Sequence, residues 1–263
     1  MEKKIFKTNA ELHDWLSEQN SEIIFIPTMG ALHHGHQYLI RKAKESTIKT
    51  KQLVIVSIFI NPLQFGKDED FTKYPRNIQT DAALAFTAGA DAIWAPDYFE
   101  VFPGGENSHF KIHVPQLLQN QLCGATRKGH FDGVATVILR LIKIIKPKKL
   151  ILGEKDWQQL IIIRKLFQEL SIPIKIESYA TKRDPSGFAY SSRNSYLSHS
   201  ERINAQSLPN AIKEARKEFY KEKRINLKKI ATKLKENNLK IEYIKIVDPF
   251  SLKEKENING LCL

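Results

Sequence analysis

Two stretches of this chain are apolar almost without interruption, and they set its frame. Ile23-Ile24-Phe25-Ile26 and Leu53-Val54-Ile55-Val56-Ser57-Ile58-Phe59-Ile60 read as strands covered on both faces of a sheet. Asn61-Pro62 ends the second. Between them the pattern predicts a helix from about Gly35 to Thr47, with Tyr38, Leu39 and Ala43 turned toward the sheet. Ahead of both, residues 9–19 predict a short helix capped by Asn9, with Leu12, Trp15 and Leu16 on one face.

The alternation continues with a helix over 77–88, a short strand at 92–95, a loop at 97–109 containing Pro103-Gly104-Gly105, and a strand at 110–114. Gly129 to Ile145 becomes a strongly apolar helix closed by Pro147. Lys149 to Leu152 is a strand ending in Gly153-Glu154-Lys155-Asp156, followed by a helix over 157–170 and a strand over 173–179. Strands alternating with helices predict βαβ units, and so an α/β chain with a doubly wound parallel sheet. Ligands bind such sheets beyond the carboxyl ends of the strands. The turns at 27–36 and 153–156 both fall there.

Thr181-Lys182-Arg183-Asp184-Pro185-Ser186-Gly187 breaks the composition and marks a linker. The chain is therefore expected to divide into a sheet domain over 1–180 and a smaller C-terminal α+β domain over 181–263. In the latter, helices are expected at 199–221 and 226–237, and a half-buried strand at 241–247.

Composition narrows the class. Hydrophobic residues make up 42% of the 263, enough for a sizeable core. The formal charge is +12, and residues 181–263 carry 18 Lys and Arg against 10 Asp and Glu. A basic field favours anionic partners, but without interleaved aromatics it reads as a solvated lysine-rich surface and no nucleic-acid partner is expected. Two cysteines, Cys123 and Cys262, make neither a disulfide framework nor a metal site, as in a reducing compartment. No apolar segment follows Lys3 and Lys4, and no run is long enough to span a bilayer. The expected location is the cytoplasm, with no membrane partner.

The chemistry concentrates in the turns. Pro27-Thr28-Met29-Gly30-Ala31-Leu32-His33-His34-Gly35-His36 places His33 and His36 at the mouth of a helix directly after a buried strand. Unpaired N–H groups there attract phosphate, and imidazoles add donors. Attack on an α-phosphate builds charge on its oxygens, which pre-placed donors stabilise. His34 points elsewhere around the helix. Lys155 can reach a phosphate, and Asp156 a ribose hydroxyl or an adenine donor. Ser191-Ser192-Arg193 offers two hydroxyls and a guanidinium, a clamp for pyrophosphate. The amide of Gln64 can donate and accept at once, as a hydroxy acid requires. The acidic loop at 66–72 reads as a mobile gate, and Tyr74, Arg127 and His130 are candidate walls.

Six blocks together resemble one family, that of the pantothenate synthetases (pantoate–β-alanine ligases). They are Pro27 to His36, Asn61-Pro62-Leu63-Gln64-Phe65, Tyr74-Pro75-Arg76, Gly129-His130-Phe131-Asp132-Gly133-Val134, Gly153-Glu154-Lys155-Asp156-Trp157-Gln158-Gln159 and Ser191-Ser192-Arg193-Asn194. They run in family order. The resemblance implies a Rossmann-like nucleotidyl-transferase fold and an ATP-dependent ligation of pantoate to β-alanine through a pantoyl-adenylate. It releases diphosphate and then AMP, with Mg²⁺ arriving with ATP and no metal site of the protein's own. It implies ATP binding by Met29, Gly30, Ala31, Leu32, His33, His34, Gly35, His36, Gly153, Glu154, Lys155, Asp156, Lys182, Tyr190, Ser191, Ser192 and Arg193. His36 and His33 are the catalytic pair, with His36 as proton donor, and Gln64 and Gln159 hold pantoate and β-alanine. A homodimer is also implied.

The chain departs from the family's pattern at His34, where an acidic residue is usual, at Lys182, where a small apolar one is usual, and at Tyr190, where Met or Leu is usual. It also stops at Leu261-Cys262-Leu263, short of the family's final strand, which implies a reduced C-terminal lid. A different nucleotidyl transferase would favour Lys or Arg where Gln64 and Gln159 stand. An RNA-binding module would rest on the C-terminal charge alone.

Overall fold

A computed structural model describes residues 3–47, 51–105 and 108–255. Six strands form one all-parallel sheet: β1 Lys4–Phe6, β2 Glu22–Thr28, β3 Gln52–Ile58, β4 Ala92–Trp94, β5 Lys149–Gly153 and β6 Lys175–Tyr179. Their order is β1-β4-β3-β2-β5-β6. From β2 the chain steps outward to β4, then returns to the other side of β2 to lay down β5 and β6. This is the Rossmann-like, doubly wound arrangement, and its switch point lies between β2 and β5.

The two long apolar runs pair in register from Ile23 beside Leu53 to Thr28 beside Ile58. Alternate residues of a strand face opposite sides. Ile24, Ile26, Val54, Val56 and Ile93 pack on one side against α2 (His34–Ser46) and α3 (Ile78–Ala88). On the other side α1 (Asn9–Ser17) is tied to α6 (His130–Ile145) by His13 Nε2 and the Ile144 carbonyl at 3.0 Å. There α6 lies against β2 and against α7 (Trp157–Glu169).

Helix ends follow the chemistry of their caps. Thr8, not Asn9, caps α1, in a capping box with Glu11. Asn9 instead donates through its side-chain amide to the Glu100 carbonyl at 2.8 Å. Asn77 and the left-handed Gly89 bracket α3, and a left-handed Lys146 stops α6 ahead of Pro147. The buried stripe of α2 is Gln37, Ile40 and Ala43, while Tyr38 and Leu39 are only half-buried. The polar Gln37 is tolerated there because its amide donates to the Leu84 carbonyl at 3.3 Å.

One strand was not foreseen and three expectations need correction. Strand β1 is three residues long with an exposed Lys4, too short to show a pattern. Residues 98–101, expected as loop, form the short helix α4. The strand expected at 110–114 does not form. Side chains of α6 take the place of a neighbour: Ile112 N–H donates to Thr136 Oγ1 at 2.9 Å and Val114 N–H to Asp132 Oδ1 at 2.8 Å. The strand expected at 241–247 is likewise absent. Its apolar residues Ile241 and Ile244 pack on helices, and only Val247 makes a bridge, to Glu254.

The chain forms two compact units. The first runs to Val114 and resumes over Lys128–Lys182; the second holds Pro115–Arg127 and continues from Arg183. Residues 115–127, inside the 1–180 boundary drawn from sequence, group with the second unit. That unit contains α5 (Gln116–Gln119), α8 (His199–Ala205), α9 (Ser207–Glu222) and α10 (Leu227–Glu236), with Ala211, Ile230 and Leu234 buried among them. The single helix expected over 199–221 breaks at Gln206 because Pro209 has no N–H to return to Ala205. Among the described residues no helix is long and apolar enough to cross a membrane. Cys262 and the 261–263 end, to which the reduced-lid expectation refers, lie outside the described residues.

Candidate active site

At the carboxyl end of β2 the chain turns sharply. Gly30 and Ala31 both have positive φ, +79° and +48°. A Cβ at residue 30 would sit 2.9 Å from Asp81 Oδ2 and 3.1 Å from Ile58 Cγ2, so glycine is required for space as well as for conformation. Ala31 has no such freedom, and the left-handed conformation costs an alanine roughly 1–2 kcal/mol. The turn is held from both sides. Thr28 Oγ1 donates to the Ser57 carbonyl at 2.6 Å and accepts from Gly30 N–H at 3.2 Å. Asp81, buried on α3, accepts from Ala31 N–H at 2.9 Å and Leu32 N–H at 2.7 Å. Burial raises the Asp81 pKa, and the two backbone donors oppose that rise.

The histidines cap their own helix. His33 Nδ1 accepts from Gly35 N–H at 3.0 Å, and His36 Nδ1 accepts from His33 N–H at 3.3 Å, a capping box built of two imidazoles. Their ring centroids are 4.0 Å apart. An Nδ1 that accepts assigns the neutral ring's proton to Nε2, so both rings carry an Nε2–H donor. Burial, then the Lys155 ammonium, pushes His33 down to about 4. His36 is held far below its ordinary value by burial, with His33 and Lys155 adding to it. Both are therefore neutral donors near pH 7. His34 is exposed and pairs with Gln37 Oε1 at 3.0 Å.

Beyond β3 the chain forms a single tight turn, Pro62–Gln64, capped by Asn61. The buried Asn61 accepts from Leu63 N–H and donates both to Gln64 Oε1 and to the Gly133 carbonyl, each at 3.1 Å. Gln64 Nε2 donates to Met29 Sδ at 3.0 Å, and the Gln64 carbonyl accepts from His130 Nδ1 at 2.7 Å. Gln64 is thus oriented by residues from three elements, with its Nε2 directed at the turn of residues 29–32. Phe65 stacks edge-on with Phe71 and Tyr74, and Tyr74 is buried. The acidic loop that follows is tied down by Arg76, which donates to the carbonyls of Phe71, Thr72 and Tyr74.

After β5, residues Glu154–Asp156 form a tight turn. Glu154 Oε1 accepts from Ser178 Oγ at 2.9 Å, and Lys155 Nζ donates to Asp156 Oδ1 at 2.9 Å. The Lys155 charge acts on both histidines across the β2–β5 switch point. Gln159 is half-buried in the first turn of α7, and Lys182 lies over the Tyr38 ring, 5.7 Å from its centroid. The first unit therefore brings Met29–His36, Gln64 and the 153–156 turn into one neighbourhood. Tyr190, Ser191, Ser192, Arg193 and Arg127 belong to the second unit, where Ser191 caps the turn Ser192–Tyr196 by accepting from Arg193 N–H. Asp81 carries no sequence signal of its own and works through partners about 50 positions away. Asn61 and Gly133 stand in two of the quoted blocks, but the bond that joins them, across about 70 positions, shows only in the fold.

The profile of the pantoate-beta-alanine ligase family matches residues 4–263. This chain belongs to that family. A bifunctional pantoate ligase/cytidylate kinase of Prochlorococcus marinus strain NATL1A is 80% identical over all of this chain, which covers 51% of that relative. The chain spans about half the length of the curated relatives it matches. Among solved structures, pantothenate synthetase from Thermus thermophilus is similar with a TM-score of 0.87 at 33% identity, over 98% of this chain and 92% of that one. A pantoate-beta-alanine ligase from Francisella tularensis, complexed with beta-gamma ATP and beta-alanine, is similar with a TM-score of 0.83 at 34% identity, over 93% and 89%.

Proposed function

We propose that this chain condenses (R)-pantoate with β-alanine at the expense of ATP, through a pantoyl-adenylate. One observation carries the reading: two neutral imidazoles, each with an Nε2–H donor, stand beside Lys155 at the switch point, with the Gln64 amide directed at the same turn. Of the two activities named for the bifunctional relatives, the family matched over residues 4–263 supports the ligase.

In the first step a pantoate carboxylate oxygen attacks the α-phosphorus, and the bond to the departing diphosphate breaks. Charge grows on the phosphate oxygens, where His33 and His36 donate and Lys155 adds its field. The turn's own amides contribute little. The N–H groups of residues 30 to 33 and 35 already donate to Thr28, Asp81, His36 and His33. Phosphate therefore meets the imidazoles rather than the amides of the turn. In the second step the β-alanine amine attacks the acyl carbon, AMP leaves, and the amine gives up a proton. No enzyme nucleophile is needed; the protein positions the reactants and stabilises charge.

Within this reading Met29–His36, Gly153–Asp156, Lys182, Tyr190, Ser191, Ser192 and Arg193 bind ATP, and Gln64 and Gln159 hold pantoate and β-alanine. Mg²⁺ enters with the triphosphate as part of the substrate, the usual way a protein meets this ion. Residence in the cytoplasm, assembly as a homodimer and action without a nucleic-acid or membrane partner complete the proposal. The test is diphosphate release from ATP with pantoate alone, then AMP and pantothenate on adding β-alanine. Absence of release with pantoate, or release with an unrelated acid instead, refutes it.

A further inference from the structure

We infer that Asp81 is a positioning residue for adenylation: its carboxylate fixes the turn at 30–32 and thereby sets where the two imidazole donors stand. This rests on the ligase reading above. Asp81 lies in the first turns of α3, yet its own helix does not use it, because Asn77 caps that helix by accepting from Thr80 N–H. Both Asp81 oxygens reach instead to the amides of Ala31 and Leu32, about 50 positions earlier. Two successive amides around a left-handed residue make an anion-binding concavity of the kind phosphates occupy. Here a buried side-chain carboxylate fills it, so the nucleotide is left to the imidazoles.

The coupling to the histidines is direct in the chain. Leu32 is buried in the core, and the residue after it is His33, whose N–H and Nδ1 build the imidazole capping box. Ala31 holds a left-handed conformation that it does not prefer, so the turn needs its two charge-assisted bonds to stay put. A turn that relaxes would carry His33, and with it His36, away from the reacting phosphate.

Asp81→Asn tests this in the full chain, since it keeps the shape but turns one acceptor into an N–H₂ facing an N–H. Per folded molecule, the rate of diphosphate release with pantoate is expected to fall at least about tenfold, as misplaced donors do, while KM for pantoate stays within about twofold. Histidine ¹⁵N spectra give a readout free of turnover. In the wild type, Nδ1 of both His33 and His36 is unprotonated, and in Asp81→Asn the two tautomers mix. If Asp81→Asn does not fold, Asp81→Ser, which keeps one acceptor, takes its place with the same expectations. An unchanged rate per folded molecule together with unchanged spectra overturns the inference. A wild type that releases no diphosphate refutes the ligase reading instead, and the spectra still decide the role of Asp81.

Discussion

Replacing Gly133 by alanine sets two effects of opposite sign against each other. Gly133 lies in the first turns of α6, and in a helix alanine is favoured over glycine by roughly 0.5–1 kcal/mol. By propensity alone the variant would gain stability. The structure decides otherwise. A Cβ at 133 would meet the Leu63 carbonyl and lie 2.7 Å from Gln64 N, both backbone atoms that no rotamer change can move away. Opening the Gln64 N approach alone to an ordinary contact of 3.4 Å displaces the helix or the 62–64 turn by at least about 0.7 Å, and the Leu63 carbonyl is nearer still. Overpacking of this kind typically costs ~1–3 kcal/mol, which exceeds the gain in propensity. The net loss of ~1–2 kcal/mol lowers Tm by roughly 2–8 °C for a unit of this size. The same displacement moves Gln64, whose carbonyl and side chain are tied to His130 and Asn61. A shift approaching 1 Å at a substrate-holding group costs up to about 10²-fold in rate. Thermal denaturation and steady-state kinetics with pantoate as varied substrate measure both. A Gly133→Ala variant as stable as the wild type, with kcat and KM within twofold, would refute the argument.

His36→Ala is expected to slow diphosphate release by at least about 10²-fold while ATP binding, measured by calorimetry, weakens only moderately; near-normal turnover would remove His36 from the catalytic role. Because His33 titrates at about 4 when folded and at 6.5 ordinarily, the unfolded chain binds the proton first as pH falls. Stability is then lost between pH 6.5 and about 4 and levels off below, a change on the order of 2–3 kcal/mol. His33→Asn keeps an acceptor for the cap, so urea midpoints across that range would show a shallower slope than the wild type; an equal slope would mean that His33 is not buried as a neutral ring. Arg76→Ala removes the donor to three loop carbonyls, at about 1 kcal/mol each, and is expected to speed protease cleavage within 67–73 at least about tenfold with little change in Tm. Unchanged cleavage would show that the Arg76 bonds do not hold the loop.

The sheet was readable because β2 and β3 are buried on both faces over Ile23–Ile26 and Leu53–Val56 and are apolar at each of those positions. The histidine turn was readable because its residues are consecutive and their chemistry is local. The same reading went astray where hydrophobic alternation is not enough. Residues 110–114 and 241–247 look like strands, but whether an extended segment finds a strand, a side chain or a helix beside it is decided by its neighbours. Capping likewise turned on one-residue differences between Thr8 and Asn9 that depend on Glu100, far along the chain.

By itself, the sequence determined the α/β class, the order of strands and helices around the two turns, and the family, since these follow from local periodicity and contiguous motifs. Only the tertiary structure decided how the site is held. Asp81 beneath the turn, Asn61 bonded to the Gly133 carbonyl, and the helix of Gly133 pressed on the backbone of Leu63 and Gln64 are contacts across about 50 to 70 residues. It also decided the state of the histidines. Burial, the Lys155 charge and acceptance at Nδ1 make them neutral donors, and each of those is a property of what packs around a ring rather than of the ring itself.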